Sequence, residues 1–210
     1  MTPKMPKEYF ELRREQILMA AWGCFAEKGF RETTMRDISQ SLGLSIGAVY
    51  RYFKGKDEIL EALQAISTEN NQQLLAAMDQ KETAREAIMY LFNAMFKECS
   101  VPDLMVSVRG NSIMLLEALK HRNISDLFQP QYQHLMENVS RIMAAGKTKG
   151  EFDSDLDPDA FARFFYALFT GMQIQFALID GLDVTSAIEG IERILFSEVM
   201  RDESKGVEND

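Results

Sequence analysis

From Glu8 onward the apolar residues return every three or four positions, and nowhere do they alternate with the period of two that marks a strand. The pattern predicts an all-α chain. A first helix spans about Glu8 to Lys28, with Ile17, Ala20, Ala21, Cys24 and Phe25 facing inward and Gly29 closing it. Thr34 followed three positions later by Asp37 predicts a capping box, so a second helix starts near Thr34, buries Met35, Ile38 and Leu42, and ends at Gly43. Ser45 caps a third helix, to Phe53, with Ile46, Val49 and Phe53 on one face and Gly47, Ala48, Tyr50 and Tyr52 on the others. A fourth runs from about Lys56 to Met78, and a fifth from about Glu82 to Cys99 with Ala84, Ala87, Ile88, Leu91, Phe92, Met95 and Phe96 on one wide apolar face.

Pro102 restarts the chain, and Gly110 within the segment to His121 allows a break into two short helices. A further helix, about Ser125 to Gly146, leads into a Gly-Lys-Thr-Lys-Gly150 loop. Asp157-Pro158-Asp159 supplies a cap, a proline suited to the first helical turn and an early acid for a helix over about 158–180. That helix is apolar nearly all round: Phe161, Phe164, Phe165, Leu168, Phe169, Met172, Phe176 and Ile179 cannot all face one core. The last helix, about 185–200, offers Ile188, Ile191, Leu195 and Val199 as a seam, and the polar residues 202–210 are expected to fray.

Charge is distributed unevenly. The chain of 210 residues carries a net −9, which taken whole argues against a polyanionic partner. Residues 1–56, however, hold ten Lys or Arg against six Asp or Glu, a balance of +4, leaving −13 for residues 57–210. A basic end attracts phosphates while the acidic remainder resists indiscriminate contact with nucleic acid. The most apolar run, Phe164 to Ile179, is too short for a membrane span and contains Gln173 and Gln175, and no basic, apolar leader opens the sequence, so a soluble protein with no membrane partner is expected. Cys24 and Cys99 sit in apolar helical segments without metal-ligand spacing, and His121 and His134 are isolated. Free thiols of a reducing, cytoplasmic compartment and no metal site follow. No nucleophile motif, phosphate loop or paired carboxylates stand out, so neither an enzyme nor a cofactor is expected.

The stretch Thr33 to Leu60 carries the chemistry. Two short helices around the Gly43 turn form a helix-turn-helix, and small residues at Gly47 and Ala48 let a backbone approach a DNA groove closely. Lys56, at a helix start, combines a cation with unpaired N–H groups that favour a phosphate. Phe25-Ala-Glu-Lys-Gly-Phe30, Thr34-Met-Arg-Asp-Ile38, Leu42-Gly43, Gly47-Ala-Val-Tyr50, Tyr52-Phe53 and Lys56-Asp-Glu-Ile-Leu60 together resemble the DNA-binding domain of TetR-family transcriptional regulators. The passage from Gly146 to Met172 resembles, more loosely, the last loop and penultimate helix of that family's ligand domains.

The resemblance implies an N-terminal three-helix DNA-binding domain over 1–55, an effector-binding and dimerisation domain over 56–203 and a tail at 204–210. It implies a homodimeric, ligand-responsive regulator, a repressor released from double-stranded operator DNA by a small hydrophobic effector. The alternative is an effector-free architectural or cell-division protein of the same fold. Thr34, Arg36, Ser45, Gly47, Ala48, Tyr50, Tyr52 and Lys56 are the candidate DNA contacts, although Arg36 could be a solvated surface charge and the two tyrosines packing residues. Phe92, Met95, Phe96, Arg109, Met114, Phe165 and Phe169 are the candidate effector residues, against the plainer reading of a Met-rich core. Arg109 could also pair with Glu117 or reach solvent. Phe176, Ile188, Ile191 and Leu195 are expected at the dimer seam, and Trp22 in simple helix packing.

Overall fold

The computed structural model describes residues 7–96, 105–179 and 183–196, the side chains of residues 105–109 and of Ala177 excepted. Among them every regular element is helical: α1 (Lys7–Lys28), α2 (Met35–Ser41), α3 (Ile46–Tyr50), α4 (Lys56–Asp79), α5 (Ala84–Phe96), α6 (Met105–Lys120), α7 (Arg122–Thr148), α8 (Pro158–Leu178) and α9 (Val184–Ile194). The expected segments around Cys99, Pro102 and Val199, and the polar residues 202–210, lie outside the described residues.

Local chemistry sets most of the ends. Gly29 adopts φ +84° and its N–H bonds the Phe25 carbonyl at 2.9 Å, which stops α1. Thr34 caps α2 in an extended conformation, and Gly43, at φ +64°, turns the chain after its last residue, a conformation in which any Cβ is strained. Ser45 accepts the Ala48 N–H at 3.2 Å to start α3. Asp157 accepts the N–H groups of Asp159 and Ala160, with Pro158 at the first position of α8. Those two bonds hold the Asp157 carboxyl below its ordinary range.

The chain divides into two compact units. The first comprises residues 1–68 with 109–128. Its core joins Ile17, Leu18, Ala21, Cys24 and Phe25 of α1 to Met35, Ile38, Val49, Phe53, Ile59 and Leu60, and also to Met114 and Ile124. The second comprises 69–108 with 129–210, built on Ile88, Leu91, Phe92 and Phe96 of α5, Val139 and Met143 of α7, Phe161, Phe165, Met172 and Phe176 of α8, and Ile188 of α9. Packing thus divides the chain elsewhere than at 55/56, because the latter part of α6 and the start of α7 bury their apolar faces in the first unit.

Three helices differ from the periodicity reading. α3 ends at Tyr50, because the chain turns there on Val49 to bring Phe53 into the core, and Ile46 is left exposed instead of facing inward. α6 runs unbroken through Gly110, where a Cβ would come within 2.7 Å of the Trp22 indole. The missing side chain makes room for the ring. α7 begins before Ser125 and continues through Pro130, whose absent N–H removes one bond of its ladder.

Candidate nucleic-acid interface

The helix-turn-helix is held from three directions. Thr34 and Asp37 form a reciprocal box: the Thr34 hydroxyl accepts the Asp37 N–H at 3.2 Å, while Asp37 accepts the Thr34 N–H at 2.8 Å and its hydroxyl proton at 2.6 Å. Lys28, the last residue of α1, donates to the other Asp37 oxygen at 2.6 Å. The Lys28 ammonium, then the two Thr34 donors, hold the Asp37 carboxyl well below the usual carboxylate range, and Asp37 in turn raises Lys28. Thr33, buried, directs its hydroxyl at the carbonyls of Gly29 and Cys24, so the end of α1 is satisfied without solvent.

Lys56, expected at a phosphate, closes the third side through contacts within the protein. Its ammonium donates to the carbonyls of Phe30 at 2.8 Å, Arg31 at 2.7 Å and Thr33 at 3.0 Å, with Nζ 4.8 Å from the centre of the Phe30 ring. An ammonium has three N–H donors, and all three are used inside the protein. The side chain ties the α1–α2 loop to the start of α4. Behind it, Glu58 accepts the Lys54 N–H at 2.6 Å, completing the entry to α4.

The other predicted DNA residues lie together on one exposed surface. Arg36 on α2, and Ser45, Gly47 and Tyr50 on and before α3, are exposed; Ala48 is half-buried. Nothing lies within 4 Å of the position a Cβ would take on Gly47, so the backbone there is open to approach. Thr34 is exposed too, but its hydroxyl is engaged in the capping box. Tyr52 is half-buried, its ring stacked on Phe10 at 4.6 Å between centroids. That partner on α1 was not among the residues singled out from the sequence, although two adjacent aromatics, Tyr9 and Phe10, in the polar first turns of α1 were a visible signal.

In the second unit four of the expected effector residues meet. Phe92 stacks on Phe96 at 4.5 Å, and Phe96 meets Phe165 at 5.8 Å and Phe169 at 5.4 Å edge-on, with Met95 packed against the same core. Phe92, Phe96 and Phe165 are fully buried against one another. Tyr166, next to Phe165, is largely buried, which pushes its phenol up, and it meets Tyr132 edge-on at 4.7 Å. Met114 does not belong to this group: it is buried in the first unit, beside Ile17 and Ile124, because α6 turns that face to α1. The Arg109 side chain lies outside the described residues. A groove of about 570 Å³ is bounded by Ala144, Lys147, Phe152 and Pro158, and one of about 340 Å³ is bounded by Arg85, Met89, Glu192 and Phe196, the last of which meets Phe92 edge-on at 5.7 Å.

The residues expected at a dimer seam require a similar correction. Phe176, Ile188 and Leu195 are buried within the subunit's own core and offer a partner little surface, whereas Ile191 packs against that core and stays half-buried. The apolar side chains that α8 and α9 leave uncovered are Phe164, Leu178 and Ile194, at 46%, 75% and 56% exposure. Among the described residues no three His, Cys, Asp or Glu side chains converge as metal ligands, and no helix is long and apolar enough to cross a membrane.

Comparison with known proteins agrees with this architecture at both ends. Residues 17–63 match the family described as bacterial regulatory proteins of the tetR family, and residues 114–198 match the C-terminal part of BetI-type transcriptional repressors. The HTH-type transcriptional regulator YfiR of Bacillus subtilis is 27% identical over 207 residues, covering 97% of this chain and all of that one. The transcriptional repressor KstR2 of Mycolicibacterium smegmatis is 28% identical over 172 residues, 78% of this chain and 77% of its own. A transcriptional regulator from Saccharomonospora viridis, solved in complex with choline, has the same fold with a TM-score of 0.76 at 23% identity, over 91% of this chain and 99% of that one. With a capped helix-turn-helix at its start, a helical C-terminal unit behind it and relatives that match along its whole length, the chain belongs to the TetR family of transcriptional regulators.

Proposed function

We propose that this regulator is a homodimeric repressor that leaves its operator when a small, largely apolar effector enters the C-terminal unit. One observation carries the DNA part: α3 presents Gly47 and Tyr50 outward with the exposed Arg36 of α2, on a scaffold fixed by the Thr34–Asp37 box and the Ser45 cap. Each subunit places α3 in a major groove, with two half-sites about one helical turn or a larger family-specific spacing apart. Arg36 suits guanine, whose O6 and N7 match a guanidinium fork. The exposed faces of α8 and α9, with Phe164, Leu178 and Ile194, support a dimer seam there. Leu178→Glu should yield a monomer by analytical ultracentrifugation that binds DNA poorly. A parent protein that is monomeric at micromolar concentration would end the two-site reading.

The effector reading rests on the interlocked rings of Phe92, Phe96, Phe165 and Phe169 with the adaptable Met95, an environment with few charges to hold a polar metabolite. A ligand shifts the balance between DNA-binding and released forms only by its differential affinity for the two. The same aromatic faces favour a second reading, a quaternary ammonium held by cation–π contacts, in keeping with the choline complex of the structural relative. Thermal-shift and operator-release assays with aromatic, long-chain and quaternary ammonium compounds separate the two. A true effector at a hundredfold excess over its Kd adds about 2.7 kcal/mol to stability and frees DNA. If no class changes either readout, the effector-free architectural role replaces both. The family setting points to regulation rather than catalysis, and to action in the cytoplasm where the DNA lies.

A further inference from the structure

The first turns of α1 carry a cluster that the α2–α3 surface does not include. Tyr9 and Phe10 are exposed there, at 43% and 38%. The Phe10 ring lies on Tyr52 with only 28° between planes, and the Arg14 guanidinium sits 5.0 Å from the centre of the Phe53 ring. Residues 10 and 14 of α1 are therefore fastened to the two residues that follow the α3 turn. Arg13, beside them, donates from Nη2 to the Tyr9 hydroxyl at 3.0 Å, and its guanidinium lies 5.5 Å from the centre of the Tyr9 ring. The hydrogen bond and the charge of the Tyr9 oxygen raise the Arg13 guanidinium above its ordinary range. Among the described residues no carboxylate pairs with Arg13 within ion-pair distance, although α1 carries Glu8, Glu11 and Glu15 close by in sequence.

An arginine ordinarily meets a phosphate at the cost of ordering a long flexible side chain. Here that ordering is already made. The planar fork has five donors, one of them held by the Tyr9 hydroxyl, and the ring beside it limits where the fork can turn. We propose that Arg13, positioned by Tyr9, contacts a phosphate of the DNA backbone flanking the groove that α3 enters. The contact carries no base information; it contributes affinity, register and salt dependence. The proposal rests on α3 being the groove helix, and it extends the DNA surface to α1.

The test uses the full-length protein and a short random-sequence duplex, titrated at several salt concentrations from about 50 to 200 mM. Arg13→Gln should reduce the log–log salt slope by about 0.9 and weaken binding roughly tenfold at low salt. Arg13→Lys should retain the slope and lose only part of the affinity, and Tyr9→Phe should weaken binding a few-fold with the slope intact, because the charge stays while its positioning partner is gone. An unchanged slope for Arg13→Gln, while the parent binds the duplex with a clear salt dependence, overturns the proposal alone. A lowered melting temperature with an unchanged slope also overturns it, by making Arg13 and Tyr9 a structural pair of α1. If Arg13→Gln does not fold, Tyr9→Phe decides: affinity equal to the parent's counts against the contact. If the parent itself shows no salt-dependent binding, the groove reading of α3 fails with it.

Discussion

Lys56→Met removes the ammonium while keeping the aliphatic stem, and its effect should appear in stability before it appears in DNA binding. Three carbonyls lose a donor at once. The Arg31 carbonyl is exposed and water replaces the lysine there at little cost, but the bonds to Phe30 and Thr33 are partly shielded. A hydrogen bond to a charged group is worth about 1.5–3 kcal/mol net, so two poorly replaced bonds, discounted for partial exposure, give about 2–4 kcal/mol. For a chain of this size each kcal/mol moves Tm by about 2–4 °C, so the variant should melt about 4–16 °C lower. Lys56→Arg should recover only part of this, because a planar fork does not converge on three carbonyls as an ammonium does. Thermal unfolding followed by far-UV circular dichroism measures the shift, and titrations of the folded variant against salt give the DNA slope. A Tm equal to the parent's, with a slope smaller by about 0.9, would refute the reasoning: Lys56 would then be a phosphate ligand whose carbonyl contacts are incidental.

Two further outcomes follow from the first unit. Asp37 has a folded pKa below its unfolded one, so its contribution to stability is complete above about pH 4, the ordinary carboxylate value, and fades as pH falls further toward the depressed folded value; urea midpoints for the parent and Asp37→Asn should differ at pH 7 and converge in acid, and a constant gap would show that the carboxylate's charge is not what matters. Gly110→Ala places a methyl group against the Trp22 indole and should cost about 1–3 kcal/mol by equilibrium unfolding, with Trp22→Leu in the same chain recovering part of the loss; a neutral Gly110→Ala would mean that the ring moves aside freely.

What could be read from the chain depended on how far apart the interacting residues are. The Thr34–Asp37 box, the Ser45 cap, the Gly43 turn and the Asp157-Pro158 start are all decided within four residues, and each was legible. The three carbonyls around the Lys56 ammonium come from residues 23 to 26 positions earlier, and no local pattern announces them. For α8 the periodicity identified a helix but could not choose among its apolar faces, since Phe164 and Phe176 look alike in sequence while one is exposed and the other buried. Met114 was misassigned for the same reason: its apolar character is local, but the unit that buries it is set by the packing of α6 on α1. Ile46 fits the helical spacing, yet α3 is too short to carry that face inward over its whole length.

The Trp22–Gly110 contact has an optical consequence. Trp22 is the sole tryptophan of the chain, so all indole emission reports one place, the point where α6 meets α1 at Gly110. Any ligand that slides or rotates α6 there by a fraction of an ångström changes the surroundings of that ring, and with them its emission wavelength and quenching. The unlabelled protein thus carries its own fluorometer for the helix that runs out of the DNA-binding unit, and stopped-flow emission can time its response to an added compound without any engineered dye.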